Sequence, residues 1–417
     1  MRSCMKRLVS RMLKTFASFV LGLSKSSTYL RGYASGFDSP AALLDEHFEH
    51  PAWGYSSCPR PAGHQIATVP IWFFCGLIGL IPAVGLWAVG SGWADEGPLP
   101  GPRTLVVALD GTGDYSSLQE AVDAAKKGDT VFVKAGHYTQ DVTIHSKEKI
   151  RFVGAGADKV TILGRDVVVG ALHVGKWPYG ATDIEISDMT INDRGGHAVG
   201  LFNGQGIVLR RVTINGMLFS QQVRDVRIED CVIGGSETTG AQFADSDAVL
   251  MGNFVHDNDH GVSIAGKSNV RLERNVITRS LFEAIVVSDH AKAMLVSNTL
   301  VKNGGGAAFL GQSQSEVTGN VVGLNRVGFL IAPSSRTTTS FNAFYNREGD
   351  YLRMGNPNQP APELKAQSDI TGDPYFIDPG HDDFHLRFDT PLLKIGHFPY
   401  LGALPPASPA ARRSAEK

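Results

Sequence analysis

Cysteine is scarce in this chain. Four occur in 417 residues, at Cys4, Cys58, Cys75 and Cys231, and only Cys231 lies beyond residue 100. The body after that point therefore holds no internal disulfide, which leaves its compartment open, since a well-packed exported domain folds without one. An excess of charge of one sign is also missing: 39 basic residues face 41 acidic ones. That balance gives no general attraction to nucleic acid, and no nucleic-acid partner is expected. At 42% hydrophobic and 19% charged, the chain has the composition of a folded protein and not of a disordered one.

Long apolar runs are rare, with one exception. Ile71 to Val89, "IWFFCGLIGLIPAVGLWAV", carries no charge and is long enough to cross a bilayer core as a helix. Trp72 and Trp87 stand near its ends, where amphipathic rings favour the interface. Basic residues outnumber acidic ones before it, and Asp95 and Glu96 follow it. The bias of basic residues toward the cytoplasm then places the N-terminus inside and the body outside. "GWA" at Gly92–Ala94 has the small residues that a signal peptidase needs. Cleavage after Ala94 secretes the body; without it the body stays membrane-anchored. Residues 1–35 are basic, Ser-rich and free of acids, as in an organelle-targeting peptide or a basic membrane-surface helix.

From Ile184 the sequence repeats. Units open "IEISDMTI", "IVLRRVTI", "VRIEDCVI", "AVLMGNFV", "VRLERNVI", "AMLVSNTL", "SEVTGNVV" and "TTTSFNAF", spaced 19 to 23 residues apart. A period in the low twenties means stacked units, none able to bury its apolar face alone. Leucine-rich repeats share the period, but Val, Ile and small residues dominate here. Three short β-branched strands per unit, with Gly and Asn at the bends, specify a parallel β-helix with rungs of about 22 residues. The sixth position of successive units is Met189, Val212, Cys231, Asn253, Asn275, Asn298, Asn320 and Asn342. Asn tolerates left-handed backbone at a tight bend, and stacked amides satisfy one another, so the five form a ladder ending at Asn342. Cys231, in the same column, is expected to be a small core residue.

The stretch before the repeat, "ALDGTGDYSSLQEAVDAAKKGDTVFVKAGHYTQDVTI" (108–144) with "IRFVGAGADKVTILG" (150–164), resembles the N-terminal part of plant and bacterial pectinesterases. It is equally similar to other right-handed β-helix proteins of the pectin lyase-like superfamily. That resemblance implies that "SSLQEAVDAA" is a helix capping the open end of the coil. "DPYFIDPGHDDFHLRFDTPLLKIG" (373–396) resembles the closing segment of bacterial members. The organisation implied is a basic segment over 1–70, a transmembrane or signal segment over 71–89 and a linker over 95–103. An all-β right-handed parallel β-helix follows over 104–404, and a disordered tail over 405–417.

The pectinesterase motifs are another matter. "GxYxE" stands as "GHYTQ", with Gln140 in place of the acid, and "QAVAL" is nearest to "HAVGL" at His197–Leu201. "QDTL" has no counterpart in "INGMLFSQQ", "DFIFG" none in "GAQFADSD", and "GRPW" is absent. Ester hydrolysis built on two Asp, an Arg and Gln donors has no basis without those groups.

Other superfamily members are pectate and alginate lyases, polygalacturonases and uronate epimerases. Lyases and epimerases need a base beside the sugar C5 and a cation near the uronate carboxylate, and hydrolases need paired carboxylates. Charge of both signs meets at "HDNDHG" (256–261) and one rung on, which nominates Asp257, Asp259, His260, Arg279 and Glu283 as catalytic, with Lys302 and Arg326 in later rungs. Asp257, Asn258 and Asp259 are equally the residue types whose side chains bond local turn backbone. Asp and Asn at a bend suggest Ca²⁺ as the one cofactor, although no glycine-spaced calcium loop occurs. The outward third-strand face is expected to run through Gly200, Gln242, Ser263, Val286, Phe309 and Leu330, with Phe202 beside it and His197 in the column of His260. His197, Phe202, Gln242 and Phe309 are the candidates for contact with sugar rings. Residues 345–372 break the repeat and are expected to overhang this face. The chain is thus expected to contact polysaccharide, a uronan if it is a lyase or epimerase. A non-catalytic glycan-binding β-helix and a cell-surface adhesin or assembly platform stay open.

Overall fold

A computed structural model describes residues 101–165, 170–355 and 358–407, with backbone alone for 194–196. The expectations for 1–70, for the apolar run 71–89, for cleavage after Ala94 and for the end of the tail lie outside the described residues. Among those residues no helix is long and apolar enough to cross a membrane.

The body is a parallel β-solenoid of about 11 turns. Most coils contribute up to three short strands, which run on as one in Thr182–Phe202 and Gln205–Gln221, and the strands of neighbouring coils pair in parallel. The first-strand stack begins at Thr104–Val107 and passes through Thr130–Val133 and Arg224–Glu229 to Arg336–Ser340. The second includes Val232–Gly234, Phe254–His256, Val276–Thr278 and Thr299–Val301. The third includes Thr239–Ala244, His260–Ala265, Glu283–Val287 and Gly305–Phe309. Alternation sends every second side chain inward, so Ile228, Leu250, Leu272 and Leu295 stack as one buried column. Single columns of this kind from all three sheets merge into one core.

The helix Leu118–Ala124 caps the first coil and buries Leu118, Ala121 and Val122 in that core. Gln140, where the resemblance would place an acid, holds the cap in place: its Oε1 accepts from Leu118 N (2.8 Å). Cys231 is buried, and desolvation pushes its thiol up to about 12, so it is inert at neutral pH.

The Asn ladder is present, with two corrections. The left-handed residue at each bend is the one before the Asn: Asp230, Arg274, Ser297 and Phe341, with Gly252 and Gly319 in the same place. The preceding residue turns the chain, and the Asn side chain then points inward. Each Oδ1 accepts from the backbone N–H of the previous coil's ladder residue, and each Nδ2 donates onward, as in Asn275 Nδ2 to Asn298 Oδ1 (3.0 Å). Nor does the column end at Asn342. Asp369 continues it, accepting from Asn342 N (2.7 Å) and from the Tyr351 hydroxyl (2.6 Å). Of residues 345–372, expected to overhang the third-strand face, the described ones instead supply the last strands at the far end of the coil, with Tyr351 buried and Leu364 against the core.

A second ladder runs along the next bend. Asn258, Asn303, Asn325 and Asn346 share one column with Ser236 and Ser280, and each Asn Oδ1 faces the coil before it. Asn258, which the sequence suggests as a local turn former, instead accepts from Ser236 N, 22 residues away (3.0 Å).

The C-terminal segment lies against the outside of the second-strand stack. Phe376, Phe384, Leu386, Leu392, Phe398 and Leu401 form a separate apolar cluster with the outward Val276, Val301, Val321 and Ala343.

Because Asp369 gives Asn342 a partner on its far side, Asn298→Ala and Asn342→Ala are expected to cost comparable amounts, each about 1–3 kcal/mol. Chemical denaturation checks this. An Asn342→Ala midpoint equal to that of the parent would contradict the capped ladder.

Candidate functional site

The five residues nominated as catalytic do not form one stripe. The structure sets them at one bend but in different columns, and among the described residues no hydrogen bond or ion pair joins Asp257 and Arg279 to His260 and Glu283.

Asp257, Arg279 and Lys302 each occupy the left-handed position just before the second ladder. Arg279 grips Asp257 with two parallel bonds, Nε to Oδ1 (2.7 Å) and Nη2 to Oδ2 (2.8 Å), and its Nη1 bonds Asp382 of the C-terminal segment. Lys302 Nζ donates to Asp382 Oδ1 (3.2 Å) and to the Pro379 carbonyl (2.9 Å). His256 Nδ1 lies 2.7 Å from Asp257 Oδ2. Arg279 first, and His256 after it, hold the Asp257 carboxyl well below the usual carboxylate range. This knot pins the C-terminal segment to the coil. Its cations and carboxylates are engaged with one another, so they are poorly placed to receive a substrate.

The knot also bears on Ca²⁺. Asp257 is occupied by Arg279 and His256, and no group of three or more His, Cys, Asp or Glu among the described residues is placed to hold a metal ion. The residues present do not fit a calcium site.

His260 and Glu283 form the other group, at the start of the third strand on adjacent coils. Glu283 Oε2 lies 3.4 Å from His260 Nδ1, near enough for charge attraction. It is off the hydrogen-bonding direction, and Nδ1 has no hydrogen-bond partner among the described residues. Phe282 stacks on the imidazole at 5.1 Å. Burial lowers the His260 pKa, with Glu283 opposing it. Asp259 shifts upward, through burial first and then the charge of Glu237.

The register of the third-strand stack places the sugar-contact candidates. Outward positions run His173, Gly200, Phe219, Gln242, Ser263, Val286, Ala308 and Leu330. Phe309, expected on this face, is a correction. Ala308 takes the outward place, and Phe309 is fully buried against Phe329. His197 and Phe202 are brought together through Phe219, a ring that sequence reasoning missed. His197 stacks on Phe219 at 5.0 Å, Phe219 meets Phe202 at 5.8 Å, and Phe202 meets His173 edge-on at 5.5 Å. Gln242 is the next outward residue after Phe219. Four rings thus form a continuous half-buried surface on the outside of the coil.

Two family models match the chain: "Right handed beta helix region" over 177–344 and "Pectinesterase" over 104–216. A probable pectinesterase/pectinesterase inhibitor of Arabidopsis thaliana is 29% identical over 203 residues, covering 43% of this chain and 35% of the relative. A pectinesterase/pectinesterase inhibitor of Ficus pumila var. awkeotsang is 42% identical over 73 residues, 16% of this chain and 13% of the relative. The chain spans about a third or less of the length of these relatives. Among solved structures, carrot pectin methylesterase aligns with a TM-score of 0.35 and 16% identity over 62% of this chain and 90% of that one. A surface adhesin of Streptococcus pneumoniae gives 0.41 and 12% over 60% and 92%, and a mannuronan C-5 epimerase module of Azotobacter vinelandii gives 0.36 and 15% over 62% and 96%. With its coils in parallel register and both family models in agreement, the chain is a right-handed parallel β-helix protein of the pectin lyase-like superfamily, whose pectinesterase-like N-terminal part lacks the pectinesterase catalytic motifs.

Proposed function

We propose that this protein contacts a polysaccharide along the outer face of its third-strand stack, with His260 and Glu283 as the pair placed to move a proton. The row of rings formed by His197, Phe219, Phe202 and His173 carries the reading. Half-buried rings outside a coil whose core is already filled offer flat apolar surfaces that match the faces of sugar rings.

His260 and Glu283 supply the chemistry. Burial disfavours the charged imidazole, and the neighbouring Glu283 opposes this, so it would stabilise the cation formed when the ring takes up a proton. A second reading is a non-catalytic glycan-binding or structural β-helix. The knot at Arg279 favours it, because the guanidinium that a lyase or epimerase would offer to a uronate is bound to Asp257 and Asp382.

Screening the full-length chain against neutral and acidic polysaccharides comes first, for binding and for turnover. Phe219→Ala is expected to weaken binding about two- to tenfold. His260→Ala and Glu283→Gln are expected to lower turnover about 10²–10⁴-fold with binding retained. Full turnover in both variants would move the chemistry elsewhere, and binding without turnover in the parent selects the second reading. Unchanged binding in Phe219→Ala would remove the face itself.

The same histidines set a pH dependence of stability. Burial depresses the folded pKa of both His197 and His260, whereas an unfolded histidine titrates near ~6.5. Below that value the unfolded chain takes up protons that the folded chain refuses. Stability is therefore full above about pH 6.5 and falls as pH drops toward the folded values. Thermal midpoints should decline from pH 7.5 to 5.5, and decline less in His260→Gln. An identical decline in parent and variant would contradict the assignment to His260.

A further inference from the structure

The bend that leads to Glu283 is one residue longer than the bends of the coils on either side. From the ladder position to the start of the third strand, Asn258 to His260 and Asn303 to Gly305 are two residues apart, but Ser280 to Glu283 are three. The backbone shows which residue is extra. Gly304 N donates to the Ser280 carbonyl (3.1 Å) and Gly305 N to that of Phe282 (3.0 Å), so the next coil passes over Leu281. Leu281 is bulged out, and it is 66% exposed. A bulge re-aims the side chain beside it. Here the Phe282 ring lies over the His260 imidazole, 26° from parallel. The next coil makes room with bare glycine. A Cβ on Gly304 would come within 2.5 Å of the Leu281 carbonyl oxygen, and one on Gly305 would stand 3.2 Å from Glu283 Cγ.

The two ring nitrogens of His260 meet different surroundings. Nδ1 is buried without a hydrogen bond, and Glu283 Oε2 faces it at 3.4 Å. Nε2 is neither hydrogen-bonded nor sealed off among the described residues. A lone pair on Nδ1 would point toward a carboxylate in a site with little water, whereas a proton there is attracted to it. Glu283 therefore favours the tautomer protonated on Nδ1, which leaves the lone pair on Nε2. An unperturbed imidazole prefers the opposite tautomer, so the site reverses the choice of the ring. A proton that passes to Nε2 leaves its electron pair with the substrate. The imidazolium formed still has its Nδ1–H turned to Glu283.

We propose that His260 Nε2 is the atom that takes the proton, and that Glu283 and Phe282 are positioning residues acting through the ring. Glu283 selects the tautomer from the Nδ1 side. Phe282, set by the bulge at Leu281, fixes the plane of the imidazole and keeps water from Nδ1. The proposal rests on the reading of His260 and Glu283 as the proton-moving pair, and it adds the working atom and the separate roles of its two neighbours.

Nitrogen NMR of the histidine-labelled full-length chain tests it, with the His260 signals assigned by their loss in His260→Gln. Above its pKa, His260 should show a protonated Nδ1 and a bare Nε2. Phe282→Ala admits water and should raise the His260 pKa toward the ordinary value of about 6.5, while Phe282→Tyr should keep it low. Glu283→Gln keeps the packing and removes the charge that favours the cation, so it should lower the pKa further. Local unfolding would raise the pKa in both variants, so opposite shifts separate positioning from damage. A proton on Nε2, or an even mixture, would overturn the choice of working atom. An unchanged pKa in Phe282→Ala, or a raised one in Glu283→Gln, would overturn the role of that residue. These measurements need no substrate. A proton on Nε2 with turnover lost in His260→Ala would sink this inference alone, and full turnover in His260→Ala would sink the reading of the pair on which it rests.

Discussion

Each coil of this protein must turn at bends whose inner polar groups have no water, and the amide of the next coil's ladder residue is what satisfies them. Asn253 accepts from Cys231 N, Asn275 from Asn253 N, Asn298 from Asn275 N, and so on to Asp369. An unpaired buried N–H costs about 1–3 kcal/mol, so each bend depends on the coil that follows it. The second ladder repeats the device, with one weak place. Ser280 stands where an Asn would reach on, and both Asn258 Nδ2 and Ser280 Oγ are left without a hydrogen-bond partner among the described residues. That gap lies two residues from both His260 and the Phe282 ring stacked on it. The candidate chemistry thus sits beside one of the incompletely bonded places of the scaffold.

The ladder also decides which side chains can work together. A residue just before a ladder position is left-handed and points out at the bend, and one that begins the next strand belongs to a different column. Asp257 and Arg279 are of the first kind, His260 and Glu283 of the second. Three or four residues of chain are enough to separate them functionally. The first pair fastens the C-terminal segment over the second-strand stack, and the third-strand face keeps its rings on the outside.

Much of this is legible in the sequence, for physical reasons. Strands of alternating Val and Ile with Asn at a fixed place specify rungs, the ladder and the buried Cys231. The expected position of Phe309 fails because "GGGAAF" has small residues on both faces and carries no inward–outward signal. Asn303, Asn325 and Asn346, at intervals of 22 and 21, could have revealed the second ladder, but Ser280 interrupts the pattern before it reaches Asn258. The tie from Arg279 to Asp382 spans 103 residues and follows no period. Phe219 lies in "INGMLFSQQ", where no strand alternation separates its outward ring from the inward Leu218 beside it. The pectinesterase likeness is informative about the coil and not about chemistry: Gln140 at the position of the motif's acid caps a helix.

The central claim is that glycan covers the ring surface of the third-strand stack, and hydroxyl-radical footprinting of the full-length chain tests it most directly. Oxidation would be mapped with and without a saturating mixture of neutral and acidic polysaccharides. Phe202 and Phe219 are predicted to be shielded, while Tyr345, Tyr375 and Phe388, exposed elsewhere on the coil and its C-terminal segment, react as before. Shielding of the second set with the first unchanged, or no shielding at either, would contradict the account.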